Sequence, residues 1–333
     1  MLTVTNTLPW LAVAQARLRA AASRQRLPSA LLVHGSTGVG AAWFARWAAA
    51  LALCERPANA PCGVCRHCLR VNLQQHPDFL WLSPLPESRE IRVDQIRGLS
   101  AELALTSHEG GHKVAVLEPA ERMNRNAANA LLKTIEEPMG RCMLILVTAQ
   151  PARLPATLRS RCHRIDLAPP TPLEAAAWIK NQGGGDDALR LANIMGLEPL
   201  SVLGSDATAA LACMDETVLA LQSARSAQLD VVATAERWAR ENYEWRLHVI
   251  ENWLTDCVRH GISVGPAAAK MGADAHLPGR RPALNIRSLF ELLDGVRDLR
   301  RLAETPLNKS LALERLLWRV TADPGRSNAG APL

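Results

Sequence analysis

The chain has 333 residues, 48% of them apolar, with a net charge of +6 and a pI near 9.1. That length accommodates two or three domains with substantial cores. No run reaches the ~18 consecutive apolar residues that a membrane-crossing helix needs. The first residues, Met1-Leu2-Thr3-Val4-Thr5-Asn6, lack a basic segment leading into an apolar one, so the expectation is a cytoplasmic protein without a secretory leader. The positive charge permits contact with nucleic acid, although the arginines are scattered. Eight cysteines in such a chain suggest metal binding before disulfides.

In chain order, Pro9 to Arg26 predicts a helix with Trp10, Val13, Leu18 and Ala21 on its apolar face. Arg17, Arg19, Arg24 and Arg26 lie opposite, as a solvated face rather than a nucleic-acid contact. Pro28 and Ser29 break it. The apolar run Ala30 to Val33 then leads through Gly35-Ser36-Thr37-Gly38-Val39-Gly40 into a helical stretch from Ala42 to Leu53. Strand, glycine turn and helix form the setting of a nucleotide-phosphate loop, whose glycines let backbone N–H groups close on phosphate oxygens. Such a loop also needs a lysine and a Ser or Thr hydroxyl, and those positions are Ala41 and Ala42. A plain strand–turn–helix junction explains the glycines equally well.

Cys54, Cys62, Cys65 and Cys68 follow, two overlapping Cys-x-x-Cys units with a fourth cysteine ahead of them. Four thiolates in so short a segment suit tetrahedral Zn²⁺ with no coordination position left open, hence a structural rather than a catalytic ion. Pro57, Pro61 and Gly63 supply turns, and Arg56, Arg66 and Arg70 soften the negative charge. His67 and His76 read as bystanders. A redox Cys-x-x-Cys pair and buried apolar cysteines are the alternatives.

A turn at His76-Pro77-Asp78 precedes a strand through Leu82. Ile91 to Leu105 predicts a helix with Val93, Ile96, Leu99 and Leu103 on one face. Lys113 to Leu117 is a short apolar strand of the kind buried in parallel sheets. An ATPase would carry an acidic pair after it, one member for Mg²⁺ and one for water; here Glu118 and Pro119 stand there. Asn126 to Glu137 predicts a helix burying Ala128, Leu131, Leu132 and Ile135, ended by Pro138 and Gly140. Cys142 to Thr148 and His163 to Leu167 are further strands, and the alternation argues for a parallel α/β sheet.

Asn129-Ala130-Leu131-Leu132-Lys133-Thr134-Ile135-Glu136-Glu137-Pro138, with Thr148 and then Ser160-Arg161-Cys162, resembles the AAA+ clamp-loader family. The four-cysteine insertion after the phosphate loop is similar to that of its bacterial members. The missing lysine points to the non-hydrolysing, delta-prime branch. The resemblance runs over most of the chain and is strongest over residues 28 to 168.

It implies an AAA+ α/β module over residues 1–168 with a zinc-binding insertion at 54–68, a small helical lid at 169–206, and an all-α collar domain at 207–333. It implies tau/gamma and delta subunits as partners, with the sliding clamp and primed DNA reached through the complex and no membrane involved. Arg161 matches the arginine that such subunits project into a neighbouring tau/gamma ATP site. Without the resemblance, Arg161 reads as a cap on the preceding helical turn. Thr148 matches a γ-phosphate sensor and, with no competent site in cis, is left to end its strand. Pro199, in Gly196-Leu197-Glu198-Pro199, stands where active relatives carry a lid arginine. Losses in the phosphate loop, the acidic pair and the lid argue against a functional ATP site.

Ala168-Pro169-Pro170-Thr171-Pro172 is the expected hinge, and Gly183-Gly184-Gly185 a turn within the lid. From Thr208 the chain reads as helical. Leu247, Ile250, Leu254 and Cys257 share a face, as do Leu289, Leu292, Val296 and Leu299; Leu307, Leu311, Leu317 and Trp318 form a further apolar group. Trp238, Trp245 and Trp253 are candidates for a collar interface. Gly261 to Arg281 reads as a loop with a short helix, and Asp323 to Leu333 as a disordered tail. Two other classes stay open: an active tau/gamma-type ATPase, and a stand-alone zinc-dependent nucleic-acid binder.

Overall fold

A computed structural model describes residues 3–36, 38–137, 140–194, 198–203, 206–225, 228–263, 286–302 and 307–321. The chain divides into two compact units, Met1–Ser205 and Asp206–Leu333.

The first unit is built on five strands: β1 (Ala30–His34), β2 (Phe79–Leu82), β3 (Lys113–Leu117), β4 (Cys142–Thr148) and β5 (His163–Asp166). They lie in the order β2-β3-β4-β1-β5, all parallel. This is a parallel α/β sheet with flanking helices, as the alternating apolar runs predict. Every residue of β3 and β4 is buried, as expected for parallel strands covered on both faces. The register sets Ala30 opposite Leu144 and His34 opposite Thr148, while Leu31 faces His163 on the other side of β1. The C-terminal ends of β1 and β4 therefore lie together, and the glycine loop leaves from that end.

The helices of this unit are α1 (Ala12–Ser23), α2 (Ala41–Leu53), α3 (Arg66–Asn72), α4 (Val93–Ala104), α5 (Arg125–Glu136), α6 (Ala156–Arg159), α7 (Pro172–Asn181), α8 (Asp186–Ile194) and α9 (Pro199–Leu203). Helix α2 buries Trp43, Phe44, Trp47, Ala45, Ala48, Ala49 and Ala50 on nearly all sides, the mark of a helix packed inside a domain. Helices α4 and α5 close another part of the core, where Ile96, Leu99, Leu131 and Ile135 meet Leu32, Ala115 and Leu144. Asn124 caps α5 by accepting the Ala127 N–H at 2.9 Å, and Thr171 with Glu174 forms a capping box on α7. Residues 182–185 turn the chain between α7 and α8, as the three glycines suggest.

Helix α1 differs from expectation. A 3-10 turn occupies Pro9–Leu11, so the α-helix starts at Ala12 and its buried stripe runs through Leu11 and Leu18. Val13, placed on the apolar face from sequence, is instead 66% exposed.

The second unit contains α10 (Ala207–Arg225), α11 (Val231–Arg240), α12 (Tyr243–Ser263), α13 (Ile286–Leu302) and α14 (Lys309–Thr321). Leu247, Ile250, Leu254, Leu289, Leu292, Val296 and Leu317 are buried as their spacing predicts. Three readings change. Trp238 and Trp253 are core residues, and the Trp245 indole N–H donates to the Ala210 carbonyl at 3.1 Å within the unit. Leu311 and Trp318, expected in an apolar group, are exposed on α14, because Leu313, Leu316, Leu317 and Val320 form its buried stripe. Helix α12 continues through Gly261 to Ser263; the remainder of the expected loop and the tail after Asp323 lie outside the described residues.

Arg246 is buried at 2% exposure. It donates to the Thr217 hydroxyl at 2.9 Å, the Glu216 carboxylate at 2.8 Å and the Glu241 carbonyl at 3.3 Å, with its guanidinium over the Trp238 ring. A buried charge persists only when paired in this way. No helix among the described residues is long and apolar enough to cross a membrane.

Candidate functional site

The four cysteines converge. Cys54 closes α2, Cys62 lies in the following loop, Cys65 caps α3 and Cys68 sits in its first turn. Gly63, at φ +72°, makes the tight turn between Cys62 and Cys65, a conformation that favours glycine. All four sulphurs lie within 4.8 Å of one another, and those of Cys54 and Cys65 are 4.0 Å apart. A tetrahedral site with Zn–S bonds of ~2.3 Å sets its sulphurs about 3.8 Å apart. The cluster can therefore hold a metal ion and is compatible with zinc. Backbone N–H groups of Arg56 and Cys62 donate to Cys54 Sγ, that of Cys65 to Cys62 Sγ, and that of Cys68 to Cys65 Sγ, each at 3.4 Å. Burial opposes ionisation of Cys62, but hydrogen bonds from the Val64 and Cys65 amides and neighbouring thiols bring it down to about 6. Burial pushes the Cys54 and Cys68 thiols up.

His67 and His76 do not join the sulphur cluster. They form a hydrogen-bonded line beside it. The Asp78 N–H donates to His76 Nδ1 at 3.0 Å, which fixes that nitrogen as an acceptor. His76 Nε2–H then donates to His67 Nδ1 at 2.6 Å, and His67 Nε2 lies 3.0 Å from Glu55 Oε1. Burial, reinforced by the adjacent His67, lowers the pKa of His76. Asp78, itself buried, accepts from the Ser107 hydroxyl and the His108 and Glu109 amides at 2.9–3.1 Å. Glu109 pairs with Arg66 and Arg70 on α3. The cysteine insertion is thus latched to the loop preceding β3.

The glycine loop is covered by its own chain. Gly38 and Gly40 have φ of +82° and +107°, and Thr37 lies outside the described residues. A methyl group on Gly38 would strike the Ser201 hydroxyl and come within 2.6 Å of Glu198 Cβ. The Leu200 N–H donates to the Gly38 carbonyl at 3.2 Å. On another side, the Trp10 indole donates to the Val39 carbonyl at 2.8 Å and packs edge-on against Trp178, whose own indole donates to the Thr7 carbonyl. Ala41 and Ala42 open α2 with methyl groups where phosphate chemistry needs an ammonium and a hydroxyl. Gly196 and Leu197 lie outside the described residues, and Pro199 begins α9.

Glu118 follows β3. Desolvation raises its pKa against the pull of Arg46, and Glu121 adds to the rise. Thr148 is buried, with its hydroxyl accepting the Gln150 N–H at 3.0 Å where the strand ends.

Arg161 lies just beyond α6. Its Nε lies 2.6 Å from Glu136 Oε1 in an ion pair and its Nη1 donates to the Thr157 carbonyl at 3.1 Å; both charged side chains remain more than two-fifths exposed. The carbonyl contact is the capping role weighed from sequence, while the carboxylate contact was not foreseen. Ser160 donates to the same Thr157 carbonyl at 3.1 Å, and burial pushes the Cys162 thiol up to about 11. Sequence reasoning also missed Trp10, Trp178, Glu198 and Ser201 at the glycine loop. For Glu136, the signal was its place within the Asn129–Pro138 block.

The family described as "DNA polymerase III, delta subunit" matches residues 12–171. DNA polymerase III subunit delta' of Pseudomonas aeruginosa is 40% identical over 197 residues, covering 58% of each chain. The delta' subunit of Escherichia coli K12 is 29% identical over 323 residues, covering 94% of each. DNA polymerase III subunit tau of the same organism is 33% identical over 143 residues, 43% of this chain and 22% of that one. Beside the parallel sheet, the lysine-free glycine loop and the cysteine insertion, these matches make the chain similar to the delta' subunits of DNA polymerase III, most strongly over its first unit.

Proposed function

We propose that the chain is a non-hydrolysing subunit of a cytoplasmic clamp loader, the assembly that opens a ring-shaped sliding clamp and places it on primed DNA. Its partners are the tau/gamma and delta subunits, with clamp and DNA engaged through the complex. The observation that carries the reading is the contrast between the glycine loop and Arg161. The loop has methyl groups at Ala41 and Ala42, and its Gly38 is packed by Glu198 and Ser201, so the site in cis lacks the lysine and the hydroxyl of an ATPase. Arg161 stands exposed beyond α6. In a neighbour's ATP site its guanidinium stabilises charge on the transferring γ-phosphate. The chain then acts as the stationary member against which ATP-driven subunits move.

Residues 169–206 serve as the lid of the AAA+ module and 207–333 as the collar. The ion in the Cys54, Cys62, Cys65 and Cys68 cluster is Zn²⁺, held by four thiolates and serving structure alone.

The test is clamp-dependent ATPase of the reconstituted loader on primed DNA, with wild-type chain against Arg161→Ala, once both are shown to assemble equally. We expect turnover at the adjoining site to fall by about 10³-fold or more. Unchanged turnover and loading would leave the chain as scaffold alone.

A further inference from the structure

Glu136 is the last residue of α5, a helix anchored by Ala127, Ala128, Leu131 and Ile135 in the core. Thr157 lies in α6, anchored by the fully buried Leu158. The two helices thus offer two fixed acceptors, the Glu136 carboxylate at 2.6 Å and the Thr157 carbonyl at 3.1 Å, to one guanidinium. An ion pair to one element and a hydrogen bond to another together fix the position of the group. They engage Nε and Nη1, and Nη2 is bonded to neither acceptor. Arg97 and Asp94 make an ordinary surface pair by comparison, both on α4 and three residues apart. Exposed ion pairs contribute little to stability, so what the Glu136 contact supplies is geometry. An arginine side chain that is otherwise free samples many rotamers, and that freedom would have to be surrendered each time it met a phosphate.

We propose that Glu136 is the positioning residue of Arg161: it holds the guanidinium in one orientation on the surface of the isolated subunit, ready for the phosphate of an ATP bound by a neighbour. This rests on Arg161 acting in trans. It also gives a task to an acidic residue of the Asn129–Pro138 block that the clamp-loader reading left without one.

The experiment is a double-mutant cycle in the fully assembled loader, comparing wild type, Glu136→Ala, Glu136→Gln, Arg161→Ala and the Glu136→Ala/Arg161→Ala pair. Assembly, kcat and KM for ATP are measured for each. Glu136→Ala should lower kcat by about tenfold with KM and assembly unchanged, the scale of loss that follows misplacement of a catalytic group. Glu136→Gln keeps an oxygen beside Nε and should stay within about threefold of wild type. In the Arg161→Ala background Glu136→Ala should have no further effect, because positioning has nothing left to act on.

A Glu136→Ala subunit at wild-type turnover, beside an inactive Arg161→Ala subunit, would overturn the positioning role and leave the finger standing. So would a further fall in the double variant, which would place Glu136 in some other task. A rise in turnover in both Glu136 variants would show instead that the carboxylate damps the arginine. An Arg161→Ala loader that turns over normally would remove the finger itself, and the positioning role with it.

Discussion

At Gly38 the backbone is left-handed, φ +82°, and the space beside the Cα is taken by Ser201 and Glu198. Both facts oppose a side chain. Gly38→Ala should therefore destabilise the first unit by about 1–3 kcal/mol, read as a lowered urea midpoint with unchanged slope. The need for glycine and the absence of lysine were legible in the spacing. The reason the loop is closed was not, because periodicity carries no information about a contact between Gly38 and residues 198–201. Asp78 makes a second case. Burial works against its charge, yet hydrogen bonds from the His108 amide, the Ser107 hydroxyl and the Glu109 amide hold its carboxyl below the ordinary range. A depressed folded pKa means stability that is complete above the unfolded value, about 3.9, and lost as pH falls through the lower folded one. Asp78→Asn should cost about 1–3 kcal/mol near neutrality. Its difference from wild type in urea denaturation should stay level down to about pH 5 and shrink below pH 4.

Among the elements, the insertion around α3 carries the four-thiol cluster, and its link to the rest of the unit runs through Glu55, His67, His76, Asp78 and Glu109. Purified, unreduced protein should contain one zinc per chain, and Cys68→Ser should abolish it. Chelation should raise amide exchange over residues 54–76 and 105–112 while β3 and β4 stay protected, because those strands lie under other helices. Metal-free protein with the same exchange pattern would refute the structural role of the ion. The cysteine spacing made the cluster legible, since ligands this close in sequence need only a few turns to meet. The histidine line was not, because His67 and His76 look like any two surface histidines until β2 brings the Asp78 amide beside them. Strands β3 and β4 were legible to the residue: an apolar run buried on both faces has abrupt ends, whereas α1 shifted because a short 3-10 turn leaves no periodic trace.

The molecule as a whole divides at residue 206, and its second unit has a polar element inside its core. Arg246→Ala would remove three hydrogen bonds and open space beside Trp238, while Glu216, partly exposed, keeps its pair with Arg237. Losing the hydrogen bonds of this buried guanidinium costs about 1–3 kcal/mol, so the second unit's unfolding transition should move to lower urea while the first unit's stays in place. Apolar stripes made these helices legible, but they could not sort tryptophans. Trp238 and Trp318 both sit in helices with an apolar stripe, yet one is fully buried and the other 54% exposed. A rotation of one position around a helix decides the matter, and only the packed neighbours set it.

The strand order also has a consequence for biosynthesis. β1 emerges from the ribosome first, yet its partners are residues 144–148 on one side and 163–166 on the other. At translation speeds of ~5–20 residues per second, the apolar segment from Ala30 to Val33 waits on the order of ten seconds for its first neighbour. β2 and β3 can pair with each other during that interval, but β1 cannot pair with either in the native register. A nascent chain halted before Cys142 would present β1 as an unpaired apolar strand, open to chaperones and to aggregation, and one halted before His163 would still leave it as the raw edge of the sheet.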